Sequence, residues 1–574
     1  MRSHYGIMRA VRRITIVPRF AYIPLFALLL ACSGKAERVE LPPTLTTDTL
    51  GDPKTFNMIV SKETSSSAVA GILFEGLIRL DPVTTDFEPV LAESLSVSPD
   101  GRTWTFRLRK DVLWSDGVPF TAEDVVFTAR AIYDPKVASS IRDAWMIEGG
   151  KMIVKAADRH TVAFTLPFPF APFLDIVQVD ILPRHKLEAA LDAGKFDSAW
   201  NINTPPEELA GTGPYLITKY VPAQHVLYEV NPRYWRTDEK GERLPYVKRR
   251  VLLIVKDINT AYVKFDAGDT DIYGPSADMV ETIRGKARAR DWTLKELGLS
   301  TGTPFIAFNR NPRHYVKGGK RDPRLDWFTD KRFLRALAHA VDKETIVFNA
   351  FRGYGEPAVA DISPEVKRFH NAAIKDYEYD LKKAERLLDE AGYRDRDGDK
   401  IREDPNGNPV SFDLYTNQGN RTRERIAAIV LEDWKKLGLK VNYKPLEFNT
   451  LVEKLDSNFE WDAILIGLTG GLEPHWGSTF YKSSGHLHMW NPRQAKPETA
   501  WEAEIDRLID LGARELDPKK MPQYYKRIQE ILHEELPVIL TARESVFVAH
   551  KNRVLGYNPT IWGTPDPDKM RLAY

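Results

Sequence analysis

The sequence predicts a mixed α/β fold that is divided into two or more domains. Short strand and helix patterns alternate from Thr49 onward. Residues 421–437 have the spacing of a helix that ends at Gly438, and the segment LKVNYKPL supplies a strand directly after it. Helix–glycine–strand units of this kind are typical of α/β domains. With an N-terminal signal set aside, about 540 residues remain, which is more than one hydrophobic core usually serves.

Local patterns predict further elements of this fold. Residues 103–109 (TWTFRLR) alternate along the chain as an amphipathic strand does. A turn at residues 115–117 leads into a helix over 121–130, for which Thr121 is the expected N-cap and Asp124 its capping-box partner. Two more amphipathic helices are predicted, over 331–341 and over 380–391 with Gly392 at its end.

Charge and composition exclude several classes of protein. Lys+Arg number 81 and Asp+Glu number 80, so the chain lacks the basic excess that a nucleic-acid or strongly anionic partner favours. Hydrophobic residues make up 43% and charged residues 28%, which is an ordinary globular composition. The single cysteine excludes an intrachain disulfide, so a large core has to supply the stability.

The N-terminus predicts export and lipid attachment. Five arginines, at positions 2, 9, 12, 13 and 19, precede the apolar stretch 20–31, FAYIPLFALLLA. A basic region, a short apolar core and a small residue before the cut describe a secretory signal over residues 1–31. Cys32 follows Ala31 directly, and this arrangement resembles a bacterial lipobox, in which the cysteine becomes the acylated N-terminus. The protein would then be anchored by lipid in the periplasm or at the cell surface.

Three points about the N-terminus stay open. A short transmembrane anchor with an incidental cysteine is the alternative, although about a dozen apolar residues are too few for the ~20 of a spanning helix. Pro24 also weakens a long helix. Met8 is an alternative start because the basic region is long. The residues do not decide between anchoring in an inner and an outer membrane.

A series of ordered motifs covers nearly the whole mature chain. They are EGL at 75–77, PVLAE at 89–93, SPDG at 98–101, FRLRK at 106–110, WSDG at 114–117, TAEDV at 121–125, GTGPY at 211–215, NPRYW at 231–235, RALAHAVD at 335–342 and YDLKKAERLL at 379–388. The series resembles the signature of family 5 extracellular solute-binding proteins of ABC importers, the oligopeptide/dipeptide/nickel-binding group. Turn glycines, strand alternation and a capped helix explain most of these residues as scaffold.

The resemblance implies a two-lobed, periplasmic-binding-protein-like fold (type II, cluster C) with a hinge between the lobes and a subdomain inserted in the first. Carried onto this chain, the divisions are a lipidated tether over 32–47, lobe I over 48–80, 205–290 and 535–574, the inserted subdomain over 81–204, and lobe II over 291–534.

The resemblance also places a ligand in the cleft between the lobes, where an extended peptide pairs with protein backbone. Residues 61–64 and the loop 468–476 match cleft-lining positions. The candidate ligand-binding residues are Lys62, Glu63, Thr64, Thr469, Gly470, Gly471, Glu473, His475, Trp476 and Trp490.

The loop departs from the peptide binders of the family, which place an aspartate against the amino terminus of the ligand. Here that position falls on Gly470 or Gly471, and Glu473 is the nearest acid. Because an unpaired buried ammonium costs several kcal/mol, either Glu473 takes over the role or the ligand carries no ammonium there. Some relatives of the family bind oligosaccharides, for which Trp476 and Trp490 are candidate stacking residues; core packing is the alternative interpretation of each.

No metal or cofactor is predicted. His475, His486 and His488 lie in one segment, but neither an acid nor a cysteine completes a recognisable ligand set. Residues 395–399 (DRDGD) with Glu403 resemble a calcium loop. The glycine and the last acid fall at the fourth and ninth positions, whereas an EF-hand has them at the sixth and twelfth. A solvated turn is therefore predicted, and calcium binding stays open.

The sequence thus predicts a monomeric, non-enzymatic lipoprotein that captures an oligopeptide and delivers it to the permease of an ABC importer. An oligosaccharide is the alternative ligand. The rival classes are a surface interaction or chaperone-like protein and a secreted hydrolase. No G-x-S-x-G, H-E-x-x-H or phosphate-loop motif occurs in the sequence, and the only thiol would be lipidated.

Substitution of Cys32 separates the location of the protein in the cell from its affinity for a ligand. Cys32→Ser should release or mislocalise the protein, because no acyl chain can then be attached, while the ligand affinity of the purified domain should stay unchanged. Membrane fractionation with immunoblotting checks the first outcome and calorimetric titration the second. A loss of affinity would contradict the interpretation of Cys32 as an anchor alone.

Overall fold

Residues 43–147 and 149–573 are described by a computed structural model of the protein, and they belong to one compact unit. The predicted signal, Met8, Cys32 and most of the tether lie outside the described residues. Within them, four sheets of three or more strands organise the chain.

The sheet of lobe I combines a distant strand with a local meander. Tyr215–Val221, His225–Val230 and Arg249–Val255 pair antiparallel in that order, and Thr44–Leu50 lies parallel beside Arg249–Val255. The ordered lobe therefore begins within the predicted tether, several residues before position 48. Residues 44–47, assigned from sequence to the tether, are part of this paired strand.

Residues 81–204, predicted as an inserted subdomain and called the subdomain below, contain an antiparallel sheet. Its strands are Ala92–Val97, Thr103–Leu108, Thr161–Thr165 and Ile153–Asp158, in that spatial order. The predicted helix is present as Ala122–Tyr133. Its capping box is formed as predicted, since the Asp124 carboxylate accepts a hydrogen bond from the Thr121 backbone N–H at 2.9 Å.

Lobe II is organised by a five-stranded mixed sheet. The spatial order is Lys440–Leu446, Ser411–Asn417, Ala463–Leu468, Thr303–Phe308 and Val538–Leu540. Successive side chains of Thr303–Phe308 enter two different hydrophobic clusters, Ile306 and Phe308 on one face and Phe305 and Ala307 on the other. Both faces are covered, which is why the central strands are nearly continuous apolar runs. Val538–Leu540, assigned from sequence to lobe I, pairs here within lobe II.

Two long strands connect the lobes. Trp292–Leu299 pairs antiparallel with Ala542–Lys551 along most of its length. Ala542–Lys551 also pairs with Gly355–Pro357 of lobe II near its start and with Ile272–Tyr273 of lobe I near its end. This crossing ladder is therefore shared by both halves of the molecule.

Helices cover the sheets. Those of seven or more residues are Thr64–Ala70, Ala122–Tyr133, Arg184–Asp192, Ile258–Ala267, Ala277–Arg290, Pro323–Thr329, Lys331–His339, Lys343–Ala350, Leu381–Glu390, Arg421–Lys436, Ala500–Arg514 and Met521–Glu535. Shorter α-helices are Arg142–Trp145, Phe173–Ile176, Pro312–Tyr315, Phe448–Glu453 and Ser478–Tyr481, and Lys454–Asn458 is a π-helical turn. Short 3₁₀ turns are Phe196–Ser198, Pro206–Glu208, Pro474–Gly477 and Pro567–Lys569. Small two-stranded pairs are Ile78–Leu80 with Phe87–Pro89, Met146–Ile147 with Gly150–Lys151, Val316–Lys317 with Lys320–Arg321, and Val554–Leu555 with Arg571–Leu572.

The predicted helices over 331–341, 380–391 and 421–437 are all present within two residues of their expected bounds. Across the described ranges, no helix has both the length and the apolar character needed to cross a membrane.

The subdomain and lobe II also touch away from the crossing ladder. The Ala171 backbone N–H donates to the Ala513 carbonyl at 2.7 Å, and the rings of Phe170 and His475 meet edge to face at 5.1 Å. These contacts close the space between the subdomain and lobe II on this side.

The GTGPY motif gives a test of the scaffold interpretation. A Cβ added to Gly211 would lie 1.8 Å from the Leu73 carbonyl oxygen, and a backbone atom cannot move aside cheaply. Gly211→Ala should therefore lower the free energy of unfolding by about 3 kcal/mol or more. Urea denaturation followed by circular dichroism measures the change.

Gly274→Ala is the matched control for that substitution. No atom lies within 4 Å of a Cβ added at Gly274, so this variant should unfold within about 0.5 kcal/mol of the wild type. Equal stabilities of the two variants would show that the close approach of Gly211 to Leu73 is not a structural requirement.

Candidate functional site

The largest cavity of the site, here called the cleft cavity, lies between the subdomain and lobe II and has a volume of about 880 Å³. The subdomain contributes residues 82–87, Trp104 and Asp175, and lobe II contributes residues 365–369 and Glu473. Thr560, Ile561 and Trp562 from the C-terminal segment complete the wall. This volume falls within the roughly 300–1,000 Å³ of small-molecule and cofactor sites.

A smaller space, the lobe II chamber, has a volume of about 220 Å³ and lies within lobe II. Its apolar wall includes Phe305, Phe480 and Val538, and its acidic groups are Asp361 and Glu473. Glu473 and Val366 line both the chamber and the cleft cavity. Glu473 therefore stands at the partition between the two spaces.

The loop that follows Ala463–Leu468 positions Glu473. The Thr301 hydroxyl donates to the Gly470 carbonyl at 2.8 Å, and a Cβ at Gly470 would lie 2.5 Å from the Thr301 carbonyl oxygen. Glycine is thus required there by the close approach of two chain segments. Glu473 then caps the short 3₁₀ turn Pro474–Gly477, accepting from the His475 backbone N–H at 3.3 Å.

The environment of Glu473 disfavours its charged form. The side chain is 5% exposed. Burial and, secondarily, the neighbouring Asp175 carboxylate raise the pKa of Glu473 to about 8, against the opposing effects of the His475 N–H and Arg368. A carboxyl group in this environment is stable either when it is protonated or when a cation pairs with its charged form.

Asp175 lines the same cavity as Glu473 and acts electrostatically on it. It lies in the short helix Phe173–Ile176 of the subdomain. Burial raises the pKa of Asp175 to about 6, and a hydrogen bond with Trp476 acts against that rise. Sequence reasoning missed Asp175. The available signal was an isolated acid within the apolar run PFPFAPFLDIV.

A third space, the hinge pocket, has a volume of about 230 Å³ and lies where lobe II meets the crossing ladder. It is lined by Arg423 at the start of Arg421–Lys436 and by Glu544 of Ala542–Lys551. Burial lowers the pKa of Arg423 and raises that of Glu544. Arg423 donates to the Asn417 side chain at 2.7 Å. Neither residue was predicted from the sequence, although Arg423 follows the end of a strand, where ligands often bind in α/β sheets.

The structure gathers half of the predicted site residues. Thr469, Gly470, Gly471, Glu473 and Trp476 all line the lobe II chamber, and Trp476 is 49% exposed. His475 lies next to them, with its ring against Phe170 and its pKa lowered to about 4 by burial.

The other predicted residues lie elsewhere. Lys62, Glu63 and Thr64 line none of the three cavities, because Glu63 stands at the N-terminus of Thr64–Ala70, where its carboxylate accepts from the Ser66 hydroxyl. Trp490 is fully buried, and its indole N–H donates to Glu502 at 3.1 Å. Its position matches the core-packing alternative.

The histidines of this segment do not converge. His488 is buried between the Phe480 carbonyl at 3.0 Å and Glu502 at 3.2 Å, whereas His486 is exposed. The carboxylates of Asp395, Asp397, Asp399 and Glu403 do have oxygen atoms within 4.8 Å of one another. They already accept backbone N–H groups, for example Asp395 from Gly398 at 2.7 Å and Glu403 from Arg396 at 2.8 Å. The geometry is that of a turn held by its own side chains.

Comparison with known proteins identifies the family. The model of the bacterial extracellular solute-binding proteins, family 5 Middle, matches residues 86–487. The chain belongs to this family. The two-lobed α/β fold and the family resemblance inferred from the motifs are thereby confirmed.

Individual relatives extend the match over nearly the whole chain. The oligopeptide-binding protein AppA of Bacillus subtilis is 27% identical, with 95% of this chain and 96% of that protein covered. Heme-binding protein A of Haemophilus influenzae is 28% identical, with 88% of each covered. A solved structure of AppA from Bacillus subtilis in complex with a nonapeptide has a TM-score of 0.70 at 25% identity, covering 93% of this chain and 100% of that one.

The burial of Glu473 predicts that the free energy of unfolding depends on pH. The pKa of folded Glu473, about 8, lies above the ordinary 4.5, so the folded protein keeps a proton that the unfolded chain releases. Stability should therefore fall as pH rises between these values, with a slope of up to roughly 1.4 kcal/mol per pH unit from this group. Asp175 contributes with the same sign at lower pH. Glu473→Gln should flatten the decline, as measured by urea unfolding of ligand-free protein at about pH 5, 6, 7 and 8.

Glu207→Gln is the control for that series. Glu207 is an exposed acid of the turn Pro206–Glu208, so its replacement removes one carboxyl group without changing the cleft. This variant should keep the wild-type slope. A wild-type slope in Glu473→Gln would contradict the assignment of the decline to Glu473.

Proposed function

We propose that this family 5 solute-binding protein captures oligopeptides in the cleft cavity and delivers them to the permease of an ABC importer. It would act as a monomer anchored through lipid on Cys32, and it would release its ligand chemically unchanged. The observation that carries the proposal is the cleft cavity, which is lined by residues from both lobes and has a buried acid, Glu473, on its wall.

The residues that line the cleft cavity suit a peptide ligand with varied side chains. Its wall combines aromatic groups (Trp104, Phe369 and Trp562) with hydroxyl groups (Thr84 and Thr560) and charged groups (Lys367 and Arg368). A ligand with an apolar and polar repeat can satisfy such a mixed wall better than a wholly apolar ligand, since buried polar groups need partners. The similarity to the oligopeptide-binding protein AppA supports this class of ligand.

Glu473 is the proposed anchor for the peptide amino terminus. Its carboxylate is buried with one hydrogen bond at 3.3 Å, so an ammonium at this point would supply the charge and donors that the protein leaves unfilled. The loop glycines that replace the family's aspartate would then shift the anchor by two or three positions along the chain.

Closure would use the crossing ladder as the hinge. Trp292–Leu299 and Ala542–Lys551 connect the lobes, and small backbone rotations at their ends could open the cleft. The ligand would stabilise the closed state by contacts with both the subdomain and lobe II, and its preference for that state sets the shift in population.

An oligosaccharide is the second candidate ligand. The observation in its favour is Trp476, which is 49% exposed beside the chamber and presents an aromatic surface on which a sugar ring could stack.

Calorimetric titration with peptide and glycan libraries tests both candidates. We expect peptides to bind and Glu473→Gln to weaken peptides with a free amino terminus by about 10- to 100-fold, or roughly 1.4 to 3 kcal/mol. Trp476→Ala should then have a smaller effect. Mass spectrometry of the recovered ligand should find it intact.

Glu207→Gln and Phe348→Ala serve as matched exposed controls and should bind as the wild type does. Glycan binding that Trp476→Ala abolishes would favour the second candidate. Tight peptide binding that is unaffected by Glu473→Gln would refute the amine anchor, and catalytic turnover of a ligand would refute the receptor itself.

A further inference from the structure

A proline-rich segment of the subdomain, residues 167–172 and here called the strap, contacts lobe II. It leads from the subdomain sheet to the short helix Phe173–Ile176, and its sequence is PFPFAP. Proline restricts its own backbone and favours an extended conformation in the residue before it. Only Phe168, Phe170 and Ala171 carry a backbone N–H in the strap. Because such a segment is stiff, we expect it to move as one piece.

The strap meets lobe II at the end of the helix Ala500–Arg514. The Ala513 carbonyl lies in the last turn of this helix, where carbonyl groups have no partner within the helix. The Ala171 backbone N–H donates to that carbonyl at 2.7 Å. A helix end that lobe II leaves unsatisfied is therefore completed by the subdomain.

The residues around this bond pack across the boundary. Ala513 of lobe II belongs to the hydrophobic cluster that fills the subdomain, and Ala171 of the subdomain packs against a cluster of lobe II. The guanidinium group of Arg514 lies over the Phe168 ring, 4.4 Å from its centroid. Both apolar burial and a cation–π contact therefore stabilise the contact between strap and lobe II.

Leu516 extends the contact beyond the helix. Its side chain lies against the turn at Gly101 of the subdomain, since a Cβ added to Gly101 would be 2.5 Å from Leu516 Cδ1 and 3.2 Å from Pro169 Cβ. Ala171 and Leu516 both line the cleft cavity. The contact between the strap and lobe II is thus part of the wall of that cavity.

This contact is separate from the crossing ladder that joins the lobes. The strands paired in the ladder include neither the strap nor residues 513–516. When domains rotate about a hinge, contacts that lie away from the hinge separate. Breaking the bond between Ala171 and Ala513 would leave an N–H and a carbonyl that water can satisfy, so the strap can leave lobe II without either domain unfolding.

We propose that the strap and residues 513–516 form a gate of the cleft cavity, which opens to admit and to release each ligand. This inference rests on the proposed function for the ligand, and it adds a role for the subdomain, which carries one side of the gate. The contacts of the closed gate must break before a ligand leaves, so they set the rate of release. Since the gate acts through movement, it should affect ligands of any sequence.

A cross-link tests whether the gate has to open. Ala171→Cys and Ala513→Cys are combined in the Cys32→Ser background, so that the two new thiols are the only ones in the chain. Residues joined by a backbone hydrogen bond lie roughly 5.5 Å apart at their Cα atoms, which suits a disulfide. A short bis-maleimide joins the thiols if oxidation does not.

The cross-linked protein is compared with the same protein without the cross-link. Each is loaded with a pool of random pentapeptides and chased with an isotope-labelled pool, and mass spectrometry follows the exchange. We expect the cross-link to slow the exchange by about 10-fold or more, because the closed gate can no longer open. Ala171→Cys alone, treated in the same way, should exchange peptides as the Cys32→Ser parent does.

A second measurement needs no ligand. Phe168→Ala and Leu516→Ala together remove the stacking on Arg514 and the contact at Gly101, so the gate should open more often. Hydrogen exchange of the ligand-free protein, followed by mass spectrometry, should then be about 5- to 10-fold faster in the strap. Thr103–Leu108 in the subdomain sheet should exchange at the wild-type rate.

Phe348→Ala combined with Leu555→Ala is the matched control. Both residues are exposed, and neither belongs to the gate, so this variant should exchange as the wild type does. Thermal unfolding verifies that each variant is folded.

Two results would overturn the inference. If the cross-linked protein exchanges peptides as fast as the protein without the cross-link, the strap is not a gate. If the strap exchanges hydrogen only as fast as Thr103–Leu108 in the wild type and the variant alike, the strap does not open by itself. A wild type that binds no peptide would instead refute the proposed function, and hydrogen exchange would still decide whether the strap opens.

Discussion

The antiparallel ladder between Trp292–Leu299 and Ala542–Lys551 is the constraint on which the rest of the structure depends, because short strands from both lobes pair with it. The ladder is not regular. Its register shifts between Glu296 and Gly298, where Gly298 adopts a φ of 120°. Glu365 fills this irregularity and accepts from the Leu299 N–H at 2.9 Å. Since Glu365 also lines the cleft cavity, a residue of the ligand-facing wall is bonded directly to the strand about which the lobes would turn.

The same geometry explains why two acids at the cleft are buried and have raised pKa values. Packing the subdomain against lobe II removes water from Glu473 and Asp175, which raises the pKa of each and makes the empty closed state electrostatically unfavourable. Large hydrophobic cores elsewhere offset this local cost. Two of them are the clusters on either side of the lobe II sheet. The ammonium of the proposed peptide ligand would offset this cost.

The parts of the fold that depend on local signals could be predicted from sequence. Asp380 and Asn420 cap their helices through bonds to backbone N–H groups three residues onward, and the alternation in Thr103–Leu108 matches its sheet. The candidate site was predictable only where it lies on one continuous loop. Asp175 is almost 300 residues from Glu473, and nothing in either segment reports their approach. Trp490 shows the opposite error, because closeness to Trp476 in sequence does not reveal that its indole points to Glu502.

The shared strand also has a consequence for the order in which the protein is made. Ala542–Lys551 lies near the end of the chain, yet it pairs with Ile272–Tyr273, Trp292–Leu299 and Gly355–Pro357. During synthesis and export, these three strands therefore keep unpaired backbone groups until Ala542–Lys551 is available to pair with them. A chain truncated before residue 542 would therefore lack the strand that links the two lobes. We expect quality-control proteases to degrade such a chain.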